Sequence, residues 1–232
     1  MLRRLVLTAA ITAGFAAAAA AEPYSDREKG FTVQVPVGWV QHPGGEYPLD
    51  LTLTSPRSEA TGGLCLLMSQ DVRTTKDLKQ PELNELIRNA AKEEFWRAVL
   101  TADKAIQIKD MKLEVKHEAR GDRVVSRATV FATAVYQGET SKLLLEMMLQ
   151  AVPGNSYMTQ CAVKQDQIAV EAADIKAVID THTPTGTAGI IASAGRPSGA
   201  APVAAPQAFP VGASEAFKMG FGKLLQRVAK PR

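Results

Sequence analysis

Three histidines and two cysteines are the side chains of this 232-residue sequence best suited to nucleophilic, acid–base or metal chemistry. They are His42, His117, His182, Cys65 and Cys161. A zinc site needs such residues at short, regular spacing, and no histidine here has a second histidine four residues away or a cysteine close by. A nucleophilic pair would require the fold to bring Cys161 to His117. We therefore predict no catalytic residue, no metal site and no cofactor.

Each histidine has a simple structural interpretation. His42 stands in a turn beside Pro43 and two glycines, and His117 alternates with Val115 along a strand. His182 comes at the end of a helical pattern, where a partly charged imidazole would complement the helix dipole. Nucleotide-binding and hydrolase fingerprints are absent, so the sequence indicates a protein that is not an enzyme.

The two cysteines are expected to form a disulfide if the protein is exported, since oxidising compartments favour pairing. The alternative is a pair of separately buried thiols. Neither cysteine belongs to a C-x-x-C motif, so redox catalysis has no support. A bridge between Cys65 and Cys161 would close a long loop and contribute on the order of 4 kcal/mol.

The N-terminus has the pattern of a secretory signal. Arg3 and Arg4 precede a short apolar segment, and an A-x-A site at residues 19–21 predicts cleavage between Ala21 and Glu22. An N-terminal membrane anchor is the alternative. Loss of residues 1–21 removes two arginines and no acid, so the net charge of +3 falls to +1. We expect a periplasmic or secreted protein, and this nearly neutral charge argues against nucleic acid as a partner.

Residues 22–182 are predicted to form one domain of three strands, a helix, four strands and a final helix. The first helix should run from Pro81 to Leu100, with an inward face continuing to Phe95 or Trp96. Short turns join the next four strands, which predicts an antiparallel meander. Asp166 should cap the final helix. The apolar face of that helix comprises Ile168, Ala172, Ile175, Val178 and Ile179.

The first strand, FTVQV, should direct Phe31, Val33 and Val35 into the core. Pro36 cannot donate a ladder hydrogen bond, so the strand is expected to end there. Trp39 would then pack back over the end of the domain, after a turn at Gly38.

The C-terminus divides into a linker, residues 183–212, and a basic amphipathic tail, residues 213–232. The linker is rich in Ala, Gly, Pro, Ser and Thr, a composition typical of flexible connections. On a helical wheel the tail has one apolar face with basic residues around it, namely Phe217, Phe221, Leu224 and Val228 with Lys218, Lys223 and Arg227. This face could contact an anionic membrane, dock into a groove of a partner, or fold back onto the protein's own sheet.

Two segments carry a family resemblance. FTVQVPVGW resembles the opening motif of the PsbP-like superfamily, and PGNSYMTQCAVKQDQIAVEAADIKAVIDT resembles its final strand and helix. The superfamily includes the photosystem II extrinsic protein, a yeast nuclear-import factor and exported bacterial proteins. The resemblance implies an α+β fold, an α/β/α sandwich with two main helices around an antiparallel sheet of about six to seven strands. It transmits no active site, because members act mostly by binding proteins.

The sequence thus favours an exported binding or accessory module that acts on a protein or envelope component. A peripheral membrane protein, held to the surface by the C-terminal amphipathic helix, is the alternative. An enzyme comes third.

Overall fold

The computed structural model describes residues 21–44, 49–185, 219, 222–224 and 226–227. Between residues 21 and 185, short 3₁₀ turns at Arg73–Thr75 and Gln165–Gln167 accompany the following strands and helices: β1 (Glu22–Asp26), β2 (Phe31–Val35), β3 (Val40–Pro43), β4 (Leu51–Thr54), α1 (Ser58–Thr61), β5 (Leu64–Asp71), α2 (Gln80–Ala90), α3 (Glu93–Leu100), β6 (Ile106–Arg120), β7 (Arg123–Tyr136), β8 (Glu139–Val152), β9 (Asn155–Lys164), α4 (Ile168–Thr181) and β10 (Thr183–Pro184).

A seven-stranded antiparallel sheet in the order β3-β4-β5-β9-β8-β7-β6 forms the centre of the fold. The predicted α+β class and the meander from β6 to β9 are confirmed. A second sheet, in the order β1-β2-β10, packs over one face of the central sheet. The strand Phe31–Val35 belongs to this smaller sheet. The sequence indicated a turn around His42, but this segment forms β3, an edge strand of the central sheet. Alternation along a strand determines which side chains are buried, but it does not determine the neighbouring strand.

One face of the central sheet, the α2/α3 face, is covered by two helices where one was expected. The backbone of Ala91 leaves the helical region, with φ −89° and ψ 52°, so α2 ends and α3 begins at Glu93. Trp96 is fully buried by this break, and its Nε1 donates to Ser126 Oγ at 3.1 Å. Ser126 Oγ in turn donates to the Ala91 carbonyl at 2.9 Å. The predicted single helix is therefore wrong. The buried Trp96 indole and its hydrogen-bond chain through Ser126 to the Ala91 carbonyl hold the backbone out of the helical region between α2 and α3.

The other face, the α4 face, packs against α4 and β2. Phe31, Val33 and Val35 are buried there as predicted, and β2 ends before Pro36. Gly38 adopts φ +77°, a left-handed conformation that favours glycine, and Trp39 folds back into this core. The indole Nε1 of Trp39 donates to Asp174 Oδ2 at 3.2 Å.

The start of α4 differs from the expectation. The residue at its N-cap is Gln167, and no side chain caps the helix there, so the predicted Asp166 cap is wrong. The 3₁₀ turn of residues 165–167 occupies the position where a capping side chain would act. Of the predicted apolar positions, Ile175, Val178 and Ile179 are buried.

Candidate functional site

Cys65 and Cys161 form the predicted disulfide. They stand directly opposite each other on β5 and β9, with Cα atoms 4.0 Å apart, and both are fully buried on the α4 face. Because the bond consumes both thiols, the pairing of Cys161 with His117 as a nucleophile is not available. His117 lies on β6 and is exposed, as is His42 on β3.

His182 is the one histidine with an unusual environment. It follows the last residue of α4 and is 1% exposed, with ring contacts to Phe31 and Tyr157 at centroid distances of 5.0 and 6.0 Å. Its Nδ1 lies 2.6 Å from Thr159 Oγ1, and within the described residues its Nε2 has no hydrogen-bond partner. Gln150 Nε2 donates to the His182 carbonyl at 2.8 Å.

Burial lowers the pKa of His182 to about 3, with smaller contributions from Arg120 and Arg123. The imidazole is therefore uncharged at neutral pH. The expected interaction of a partly charged ring with the helix dipole is wrong, because a buried position penalises the charged form more than the dipole rewards it.

A buried carboxylate, Glu171, connects α4 to the segment around α1. Its Oε1 accepts hydrogen bonds from Ser55 Oγ at 2.7 Å, Thr61 Oγ1 at 2.8 Å and Arg57 Nε at 3.3 Å. A Cβ on Gly63 would lie 2.9 Å from the Glu171 Cδ, so glycine makes room for this carboxylate. Sequence reasoning missed the site, although Glu171 falls four residues before the buried Ile175.

Burial raises the pKa of the Glu171 carboxyl, but the hydrogen bonds from Ser55, Thr61 and Arg57 outweigh burial and leave the pKa below its usual value. The carboxylate is thus charged and held in place at neutral pH. It joins α4 to the segment around α1.

Replacing Glu171 with alanine should lower the free energy of unfolding at pH 7 by about 2–4 kcal/mol, since two hydroxyls and a guanidinium lose their acceptor. Urea denaturation measures the loss, with the exposed Glu85→Ala as the control that should cost under about 0.5 kcal/mol. The difference should shrink as the pH falls below 4.5, the ordinary Glu pKa, where the wild type loses its charge-dependent advantage. Equal losses in the two variants would contradict this role.

The α4 face carries an exposed polar surface where β6, β7 and β8 extend beyond α4. Cross-strand pairing aligns Lys112 with Phe131 and Leu144, and Glu114 with Thr129 and Glu146. Phe131 is 41% exposed, whereas the neighbouring Leu144 is 7% exposed. We call this surface the open face, and define it by Lys112, Glu114, Lys116, Glu118, Arg127, Thr129, Phe131 and Glu146.

An ionic network holds the inner border of the open face. Arg127 Nη1 lies 2.9 Å from Asp180 Oδ1 on α4, and the same guanidinium lies within 3.8 Å of Glu118 and Glu146. Arg120 Nη2 adds a 3.1 Å contact to Asp180. Burial raises the pKa of Glu146, with partial compensation from Thr129 and Arg127. The network fixes the side chains beside Phe131 in one arrangement.

The described part of the tail is helical and lies on the domain itself. Leu224 is fully buried in the core of the α2/α3 face. Arg227 Nη1 lies 3.5 Å from Thr52 Oγ1, and Lys223 is half-buried. These positions correspond to the alternative in which the tail folds back onto its own sheet. Phe217, Phe221, Val228 and Lys218 lie outside the described residues.

At the predicted signal-cleavage site, Ala21 is exposed and Glu22 begins β1. Residues 1–20 lie outside the described part of the chain. Within the ranges that the structure describes, no group of three or more His, Cys, Asp or Glu side chains could hold a metal ion. No helix there is both long and apolar enough to cross a membrane.

No family model and no curated protein sequence matches this chain. Among solved structures, it is similar to cyanobacterial PsbP (CyanoP) from Synechocystis sp. PCC 6803, with a TM-score of 0.51 and 13% identity over 74% of this chain and 96% of that one. A Bacteroides thetaiotaomicron protein gives a TM-score of 0.42 at 12% identity, covering 71% of this chain and 48% of the other. LpqN of Mycobacterium tuberculosis, described as involved in cell envelope biogenesis, gives 0.39 at 10% identity, covering 71% and 86%. The chain has the PsbP-like fold that the motifs around Trp39 and Cys161 predicted.

Proposed function

We propose that this protein is an exported, non-enzymatic accessory module that binds a protein partner through the open face. The observation that carries the proposal is Phe131, a large aromatic side chain that is 41% exposed in the middle of a charged sheet surface. Aromatic residues with polar surroundings are typical anchors of protein interfaces, because they bury much area while the rim excludes water.

The neighbours of Phe131 support this role. Leu144 lies beside it and is buried, so it supports the ring from the core side, while Lys112 and Glu114 stand in the adjacent positions of β6. The lysines and glutamates of β6 alternate in sign, so a matching surface needs both carboxylates and basic groups, together with a pocket for one aromatic ring. We therefore infer that the partner is a folded protein.

Export is supported by two independent features. The predicted signal at residues 1–21 has a basic start, an apolar segment and a small-residue cleavage site. The Cys65–Cys161 disulfide is typical of oxidising compartments. We infer a periplasmic or secreted location.

Replacing Phe131 with alanine should weaken partner binding at least tenfold, as expected for an anchor worth about 2 kcal/mol or more. The test is chemical crosslinking in the native envelope with tagged full-length protein, followed by affinity measurement with the captured partner after purification. Val170→Ala is the matched control, because Val170 is 45% exposed on α4, away from the strands of the open face. Equal affinity of the partner for the wild type and for Phe131→Ala would refute the proposed surface.

The membrane alternative gives a different result in a separate experiment. It requires the apolar face of the tail to leave the core in which Leu224 is buried. Co-sedimentation with anionic vesicles compares the full chain with a chain that ends at Thr185, which keeps β10 intact. Binding by the full chain alone would favour the membrane role over the protein partner.

A further inference from the structure

The α2/α3 face is covered in two halves by different parts of the chain. Helix α2 packs mainly against β7 and β8, and α3 packs against β6. The half formed by β4, β5 and β9 is nevertheless buried, as Thr52, Leu66 and Gln160 show with exposures of 3%, 0% and 0%. These three residues stand side by side across the strands. Leu224 of the tail belongs to the same core cluster, so the tail helix supplies cover for this half.

Three contacts define how the tail helix sits. Gly222 approaches the domain so closely that a Cβ there would lie 2.6 Å from Asp103 Oδ2. Gln226, one turn later on the same side of the helix, donates from Nε2 to that oxygen at 3.4 Å. The other oxygen of Asp103 is held by the Ala105 amide at 2.9 Å, which orients the carboxylate towards the helix. Leu224 enters the core beside these contacts, and Arg227 reaches Thr52.

The tail helix resembles a bound ligand more than a permanent part of the domain. Residues 186–218 separate it from the domain, whereas packed helices are usually joined by about 2–8 residues. Gly222, within this helix, costs about 1 kcal/mol of helix stability relative to alanine, so the helix gains order from its docking site. Buried polar groups, Thr52 and Gln160, lie on this half of the face, and water can satisfy such groups when the helix is absent.

We propose that the β4–β5–β9 half of this face is a helix-binding groove, and that residues 213–232 of the same chain are its exchangeable ligand. The groove selects a glycine opposite Asp103, a leucine two residues later, and a glutamine and an arginine in the following turn. It lies on the opposite side of the sheet from Phe131, so it does not depend on the partner of the open face. The tether keeps the local concentration of the tail in the millimolar range, which favours docking within one chain.

The test uses the full chain with a protease site inserted after Gly199. After cleavage, the tail fragment should remain bound in native mass spectrometry. A labelled peptide of residues 213–232 should then replace it in a saturable manner, followed by fluorescence anisotropy. Prompt loss of the fragment together with no binding of the peptide would overturn the proposal.

Variants placed in the peptide leave the folding of the domain untouched. Gly222→Val, which would clash with Asp103, and Leu224→Ala should each weaken the peptide at least tenfold. Met219→Ala is the matched control and should change affinity less than twofold, since Met219 is 45% exposed. Equal affinities of the Leu224→Ala and Met219→Ala peptides would show that the groove does not recognise this face.

Uncleaved protein shows whether the tail docks within its own chain, as proposed, or on a second copy. If the tail docks within its own chain, the peptide should bind the uncleaved protein at least tenfold more weakly than the cleaved protein. If it docks on a second copy, light scattering should show dimers that disappear with Leu224→Asp. Equal peptide affinity before and after cleavage, with monomers throughout, would refute docking from either source.

Discussion

Replacing both Cys65 and Cys161 with alanine is expected to lower the free energy of unfolding by about 4–5 kcal/mol. The bond joins residues separated by 96 positions, and the loop between them contains α2, α3 and the strands β6 to β8. Without it the unfolded chain gains the freedom of that whole loop. The measurement is urea denaturation at pH 7.5 of the oxidised wild type and the double variant.

Reduction provides the control for this prediction. A reductant should lower the stability of the wild type to about that of the double variant and leave the variant itself unchanged. Before reduction, the mature wild type should be lighter by two hydrogen atoms than its reduced form. A difference in stability of less than about 1 kcal/mol between the two proteins would contradict the predicted contribution.

Mild acid should destabilise the fold through His182, and the buried carboxyls Asp50 and Glu146, whose pKa values are raised, should act in the opposite direction. The unfolded chain binds a proton at this residue below pH 6.5, its ordinary pKa, whereas burial keeps the folded form neutral down to about pH 3. The contribution of His182 to stability is therefore complete above pH 6.5 and is lost as the pH falls below it. The expected slope is about 1.4 kcal/mol for each pH unit between pH 6 and 4.

The matched variants are His182→Gln, His42→Gln and His117→Gln, compared by urea denaturation from pH 8 to pH 5. Only His182→Gln should flatten the dependence on pH, because His42 and His117 are exposed. Glu171 and Asp180 have lowered pKa values and act mainly below this range. Repulsion from Arg120 and Arg123 lowers the pKa of His182 further, in addition to burial. Unchanged slopes in all three variants would refute the assignment to His182.

Local pattern was sufficient to predict most strands but not all of their neighbours. Alternation placed Phe31, Val33 and Val35 in the core, and Pro36 marked the end of their strand. The same pattern could not show that this strand pairs with β1 and β10 instead of the central sheet. Pairing depends on residues 22–26 and 183–184, which are too polar or too short to give a clear strand signal.

The burial and charge state of two polar residues, His182 and Glu171, did not follow from the sequence. A histidine at a helix end and a glutamate on a helix usually meet solvent, yet His182 and Glu171 are buried. Their environments come from residues far along the chain, such as Thr159 for the histidine, and Ser55 and Thr61 for the glutamate. The spacing of neighbours within α4 contains no information on those contacts.

The sequence by itself predicted the α+β class, the meander and the PsbP-like fold, because periodicity, turn residues and short motifs are local properties. Only the tertiary structure decided that the two cysteines are paired and which side chains each surface presents. It left Phe131 exposed on one face of the sheet and placed Leu224 in the core of the other. Removing an apolar side chain from water is favourable whether a core, a partner or a membrane covers it, so its place depends on the surfaces that the folded chain brings within reach.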